Sequence, residues 1–134
     1  MKQEGIINKV VIREDEMVMA IRGAIKVSAN EKNTIYDSSV KLLRAIVNQN
    51  NIKMDQIISI ICSLTQDLSA GNPATGLRKD GYVNVPLFCV QEAFIEGQLT
   101  GVIRLLVTYR SENNLSPEPI YLDGAEALRP DLSN

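Results

Sequence analysis

The sequence predicts an α+β domain: a sheet of short strands with one long helix, and shorter helical pieces, packed against it. Three observations carry that prediction. Residues 57–64, Ile-Ile-Ser-Ile-Ile-Cys-Ser-Leu, are apolar almost throughout and rich in branched side chains, as a strand covered on both faces requires. Ile35, Leu42, Leu43, Ile46 and Val47 recur at spacings of three, four and seven, which lines one face of a helix. The runs 82–88 and 102–109 are again β-branched and apolar, and each follows a glycine that resets the backbone.

The remaining elements follow in order. Residues 17–27 read as a first strand, with Gly23 permitting a bulge or a close backbone approach beside Arg22. Thr34 and Asp37 have the spacing that satisfies free N–H groups at a helix start, and the polar run Asn48-Gln49-Asn50-Asn51 ends that helix. Lys53 to Gln56 read as a short turn. Segment 65–80, with Gly71, Pro73 and Gly76, reads as a functional loop or a short irregular helix ending near Arg78. Residues 82–88 form the next strand, and Leu87-Phe88-Cys89-Val90-Gln91-Glu92-Ala93 is its apolar end, carrying a thiol, an amide and a carboxylate. Residues 91–100 are expected to be a short helix or turn, and Ile120-Tyr121-Leu122 a last short strand after Pro117 and Pro119. The apolar patch of Ile6, Ile7 and Val10 to Ile12 reads as an extra edge strand or a loose arm.

The 134 residues fit one core, with 45% apolar and 22% charged side chains, an ordinary globular balance. Residues 1–18 read as an N-terminal extension, 19–134 as a single domain, and 124–134 as its tail. Fourteen Lys and Arg against sixteen Asp and Glu give no basic excess for a nucleic-acid partner or an anionic membrane. No apolar run approaches the ~20 residues of a membrane span, and no leader pattern opens the chain, so a cytoplasmic protein is expected. The chain has no histidine, which removes Ser-His-Asp and Cys-His catalysis and imidazole-based metal sites. Cys62 and Cys89 lie in apolar strand-like runs, so reduced thiols are expected rather than a disulfide.

Arg104 is the most informative residue. It stands inside Val102-Ile103-Arg104-Leu105-Leu106-Val107, where a permanently charged guanidinium needs an anion to meet it. Glu92 at the mouth of a strand, Arg22, loop Arg78, tail Arg129, the Cys89 thiol and the Tyr121 phenol complete a set suited to a small dicarboxylate. A guanidinium fork matches a carboxylate through two hydrogen bonds. The alternative at this level is a group of surface charges with no common site.

Ile21-Arg22-Gly23-Ala24, Asp67-Leu68, Pro73-Ala74 with Arg78, Val85-Pro86, Cys89-Val90-Gln91-Glu92, Ile103-Arg104, Tyr121-Leu122 and Leu128-Arg129-Pro130-Asp131 occur in one order. In that order and near that spacing, from about Met19 to Asp131, the sequence resembles the AroH-type chorismate mutases. The resemblance implies a mixed sheet in a homotrimer that forms a pseudo α/β barrel, with active sites between subunits. It implies rearrangement of chorismate to prephenate in phenylalanine and tyrosine biosynthesis, in one concerted step without metal, cofactor or covalent intermediate. It assigns Arg22 and Tyr121 to a carboxylate, Arg104 to the ether oxygen, and Glu92 with the Cys89 region to the ring hydroxyl. Phe88, Val90 and Gln91 belong to the same substrate-binding segment, and Arg78 and Arg129 to the rim. Asn72 stands where some members carry an aromatic residue and Thr75 where some carry a lysine. The competing readings are a trimeric enamine or imine deaminase-like protein and a non-catalytic metabolite-binding homologue.

Overall fold

Side-chain alternation decides which side of the sheet each strand buries, and the central strand sets the pattern. The computed structural model describes residues 11–113 and 115–132. Among them are five strands, β1 (Met17–Lys26), β2 (Ile57–Leu64), β3 (Leu87–Gln91), β4 (Val102–Ser111) and β5 (Ile120–Leu122), and two α-helices, α1 (Lys32–Gln49) and α2 (Pro73–Lys79). The strand order is β3-β2-β4-β1-β5, with β4 in the middle. It pairs antiparallel with β1 from Met17↔Ser111 to Lys26↔Val102, and antiparallel with β2. The flanking pairs β2–β3 and β1–β5 are parallel, so the sheet is mixed.

One face carries Ile21 and Ile25 of β1, Ile60, Cys62 and Leu64 of β2, and Ile103, Leu105, Val107 and Tyr109 of β4, all buried in one core. Helix α1 covers that face with Ile35, Leu42, Leu43 and Ile46, each 0% exposed. Burying an aliphatic side chain of this size contributes about 1.5–3 kcal/mol, so this layer supplies most of the folding drive. Gly23 lets the helix approach: a Cβ there would lie 2.7 Å from Ile46 Cδ1. The opposite face carries Arg22, Ala24, Ile61, Ser63, Phe88, Val90, Arg104 and Leu106. It is only partly covered, by a small cluster of Ala24, Val102 and Ala125 with Leu99, Tyr121 and Leu128 packed on it. Phe88 is 66% exposed, Ile61 42% and Val90 39%. Among the described residues nothing further covers this face of β2, whose apolar sequence predicts burial against another subunit.

Several boundaries differ from the sequence expectations. Helix α1 begins at Lys32 with Glu31 as its N-cap and no side-chain cap, so Thr34 and Asp37 lie inside it. The nearby Asn30 is occupied elsewhere: its Oδ1 accepts from the backbone N–H groups of Ser69 and Ala70, both at 2.9 Å. The expected strand over 82–88 is displaced to Leu87–Gln91. Pro86 has no N–H to give a ladder, and its carbonyl accepts from Ile60 N at 2.9 Å just before pairing begins. Tyr82 and Val85 are buried in the core from a non-strand segment. Residues 92–101 form an irregular loop with a turn at Glu96 and Gly97, not a helix. Lys53 is followed by a short 3-10 turn, Met54–Gln56. Ile6, Ile7 and Val10 of the expected arm lie outside the described residues, while Val11 and Ile12 are exposed. Where the chain enters β1, the buried Glu16 carboxylate meets Arg110 Nη1 at 2.7 Å, tying that end of β1 to β4.

Segment 65–80 resolves into a loop and α2. Asn72 caps that helix by accepting from Ala74 N at 2.9 Å, and Pro73 occupies the first helical position. Gly76 packs directly on the α1 backbone, where an added Cβ would sit 2.8 Å from Tyr36 Cα. Alanine at an open helical site would raise helix propensity by about 1 kcal/mol relative to glycine. Here backbone would have to move instead, so Gly76→Ala is expected to destabilise the fold by about 1–3 kcal/mol. Urea unfolding measures this, and an increase in stability would contradict the close α1–α2 contact.

Candidate active site

Ladder register brings most of the sequence-selected residues into two adjacent rows on the open face. In the first row Val90 pairs with Ser63, Ser63 with Arg104, Arg104 with Ala24, and Ala24 with Tyr121, so the row crosses all five strands. In the next row Phe88 pairs with Ile61, Ile61 with Leu106, and Leu106 with Arg22. Arg22 and Arg104 are thus diagonal neighbours on one face of an antiparallel pair, within reach of a common small ligand. The small Ala24 between Arg104 and Tyr121 leaves space above the sheet.

That space is a hollow of about 350 Å³. Arg22, Ser63, Gln98, Arg104, Tyr121 and Arg129 line it. Glu92 follows β3 directly, and its backbone N donates to Leu64 O at 2.8 Å, which extends the β2–β3 pairing and aims the side chain back over the sheet. Glu92 Oε2 lies 3.2 Å from Arg104 Nε. The same oxygen accepts a 2.7 Å hydrogen bond from Ser63 Oγ. Arg104 Nε is buried without an aligned hydrogen bond, so Glu92 answers the charge through proximity rather than through a directed bond.

Arg129 reaches the hollow from the tail. Its Nε and Nη2 donate to the two carboxylate oxygens of Asp131 at 3.1 and 2.9 Å. These bonds push the Arg129 guanidinium above its ordinary range, with a further contribution from Tyr121, and hold the Asp131 carboxyl below its own. The 3-10 turn Ala125–Leu128 carries this segment back onto β1, with Ala125 fully buried.

Arg78, Gln91 and Cys89 sit apart from the hollow, and Phe88, Val90 and Glu92, although on the open side of the sheet, do not line it. Arg78 is exposed in the last turn of α2 and does not line it. Gln91 is exposed at the end of β3. Cys89 packs against the helix-side core, on the opposite side of its strand from Phe88 and Val90, and stands in register with Cys62. Both thiols are free, and burial pushes Cys62 up to about 12 and raises Cys89 as well. Sequence reasoning missed Ser63 and Gln98. Ser63 was hidden in the otherwise apolar β2, although a hydroxyl two residues from the exposed Ile61 is the signal that this face is not core.

No group of three or more His, Cys, Asp and Glu side chains among the described residues is arranged to hold a metal ion. No helix among them is long and apolar enough to cross a membrane.

The family model for chorismate mutase type I matches residues 18–132. This chain belongs to the type I chorismate mutase family. Within it, the chain is 33% identical over 119 residues to the protein named chorismate mutase AroH of Bacillus subtilis (strain 168), covering 87% of this chain and 94% of that one. It is 32% identical over 123 residues to chorismate mutase AroH of Thermus thermophilus, covering 88% and 98%. The solved structure titled chorismate mutase from Clostridium thermocellum superposes with a TM-score of 0.75 at 34% identity, over 81% of this chain and 97% of that one. The α+β fold with a mixed sheet is accordingly that of a type I chorismate mutase.

A thiol held protonated cannot act as a nucleophile. In the folded protein at about pH 8, Cys62 is therefore expected to resist iodoacetamide, and to react once the chain is unfolded. Peptide mass spectrometry reads the modified site; labelling of native Cys62 at the rate of a free thiol would contradict its burial.

Proposed function

We propose that this protein rearranges chorismate to prephenate, an isomerase reaction in aromatic amino acid biosynthesis. The observation that carries the reading is the hollow in which Arg22, Arg104, Tyr121 and Arg129 converge on one open sheet face, with Glu92 against Arg104, in a chain of this family. The family match is to the type I chorismate mutases, which does not favour the deaminase-like alternative.

The residue types fit the chemistry. Chorismate carries two carboxylates, and its side chain must be folded over the ring before the new carbon–carbon bond can form, which is a positioning task. Arg22 and Tyr121 take one carboxylate, and Arg129 exchanges its internal partner Asp131 for a substrate carboxylate as the tail closes. When the ether C–O bond breaks ahead of C–C bond formation, negative charge grows on the ether oxygen. Arg104 is rigidly held by the central strand, so its charge is worth more in the transition state than in the ground state. Glu92 accepts a hydrogen bond from the ring hydroxyl and orients it, without taking a proton. Phe88 and Val90 give the same face an apolar rim, and Cys89 and Gln91 contribute through the strand they belong to.

The active form in this reading is a homotrimer with clefts between subunits. Its support is the sheet face left open with Ile61, Phe88 and Val90 exposed, and a hollow whose lining includes no residue of α2, the helix that bears Arg78. A neighbouring subunit then supplies Arg78, Asn72 and Thr75 to the rim. Asn72 caps α2 where some relatives place an aromatic cover, so this chain gives up apolar contact with substrate for a firmer helix start. The family match opens at residue 18 and β1 at Met17, so the proposed catalytic domain starts with β1 rather than at residue 19, and the cytoplasm, where both thiols stay reduced, is the proposed setting.

Loss of chorismate absorbance on adding the protein tests the activity directly, and its absence would sink the reading. Arg104→Ala is expected to lower kcat by roughly 10²–10³, as removal of an oxyanion donor does, while KM changes little. Arg129→Ala is expected mainly to raise KM. Steady-state kinetics separate the two, and near-parental kcat in Arg104→Ala would refute the role of that residue. Sedimentation equilibrium is expected to give three times the chain mass; an active monomer would exclude a site shared between subunits.

A further inference from the structure

The hydroxyl of Ser63 sits where a strand facing a featureless interface would carry a small apolar residue. β2 alternates Ile60, Cys62 and Leu64 toward the helix and Ile61 and Ser63 toward the open face. Ser63 is the register partner of Arg104 on one side and of Val90 on the other, so it stands between the strand that bears the cation and the strand that leads into the acid. Its Oγ donates to Glu92 Oε2 at 2.7 Å, and that same oxygen is the one 3.2 Å from Arg104 Nε. Glu92 is largely enclosed, with its side chain 16% exposed, so this hydroxyl is a main influence on how the carboxylate turns.

We infer that Ser63 is a positioning residue of the active site, acting through Glu92. This rests on the reading of the hollow as a chorismate site. A carboxylate beside a guanidinium is drawn into a two-pronged pair, in which both oxygens meet the fork. Such a pair would cap Arg104 with an internal anion and take from it the charge that the ether oxygen needs. The Ser63 hydroxyl holds Oε2 from the strand side and keeps the carboxylate turned, so that Arg104 Nε feels it only as a neighbour. The second oxygen, Oε1, is left as the acceptor for the substrate hydroxyl. Ser63 thus touches neither reacting bond and sets the balance between acid and cation.

Kinetics of Ser63→Ala, Ser63→Thr, Glu92→Gln and the double variant Ser63→Ala/Glu92→Gln, each with a thermal melt, test this with chorismate as substrate. The expected result is a kcat about tenfold lower for Ser63→Ala with KM within about twofold, the size of one hydrogen bond to a charged group. Ser63→Thr, which keeps the hydroxyl and suits a strand, is expected to restore kcat to within about twofold of the parent. In the Glu92→Gln background, Ser63→Ala is expected to have little further effect, since it removes a hold on a carboxylate no longer there. Unchanged kcat in Ser63→Ala overturns the inference. So does an equal loss in both backgrounds, or a loss that threonine does not rescue while the melt stays parental. If Ser63→Ala does not fold, the threonine variant decides, because a loss of turnover there with a parental melt refutes the role. A parental protein that leaves chorismate unchanged overturns the functional reading itself, and the inference falls with it.

Discussion

A permanent positive charge in the middle of the central strand is the constraint around which the rest of the structure is arranged. The Arg104 side chain is 38% exposed as a whole, but its Nε is buried at the sheet surface beside Glu92. Both neighbours in its row are small, Ser63 and Ala24, which leaves the guanidinium room to stand on the sheet. Glu92 meets it, but only with one oxygen shared with a hydroxyl, so the charge is answered without being consumed. A fully satisfied two-pronged pair would make a more stable sheet and a poorer anion site.

The two faces of the sheet divide the labour. The helix-side face is closely packed and fixes the register, since a shift of one residue would move Ile103, Leu105 and Val107 out of the core and bring Arg104 into it. Register is what places candidate-site residues from all five strands in adjacent rows. Stability and chemistry thus share a backbone and use alternate residues of it. This explains why a charged side chain is tolerated one position from fully buried Ile103.

Much of this was legible in the sequence where one physical signal acts alone. β2 was read with its observed ends, and α1 with its observed C-terminus, because apolar runs and periodicity are decided by burial. Arg104 was conspicuous because charge inside an apolar run has few explanations. The displaced β3 was not legible: Tyr82 and Val85 are apolar because they fill the core from a loop, and composition does not separate that from strand pairing. The helix start was misread since Asn30, the stronger capping type, is committed to the loop at Ser69 and Ala70. In the candidate site, the residues carrying charge stood out, while Ser63 and Gln98 did not. Their importance comes from cross-strand partners that no local pattern encodes. The direction of the Cys89 thiol likewise followed only from observed strand parity.

The tail strand is held differently from the others. β5 joins the sheet through three residue pairs in parallel with β1, whereas β1 and β4 are joined through ten. Tyr121 lies on that short seam and Arg129 just beyond it, so two of the groups facing the hollow are mounted on the least secured piece of the sheet. Unzipping this seam would leave the floor, with Arg22, Ser63 and Arg104, intact. The proposed capture groups and the proposed reaction platform are therefore mounted on separable parts of the sheet, the first on a short seam pinned by buried Ala125 and the second on the long central pairing.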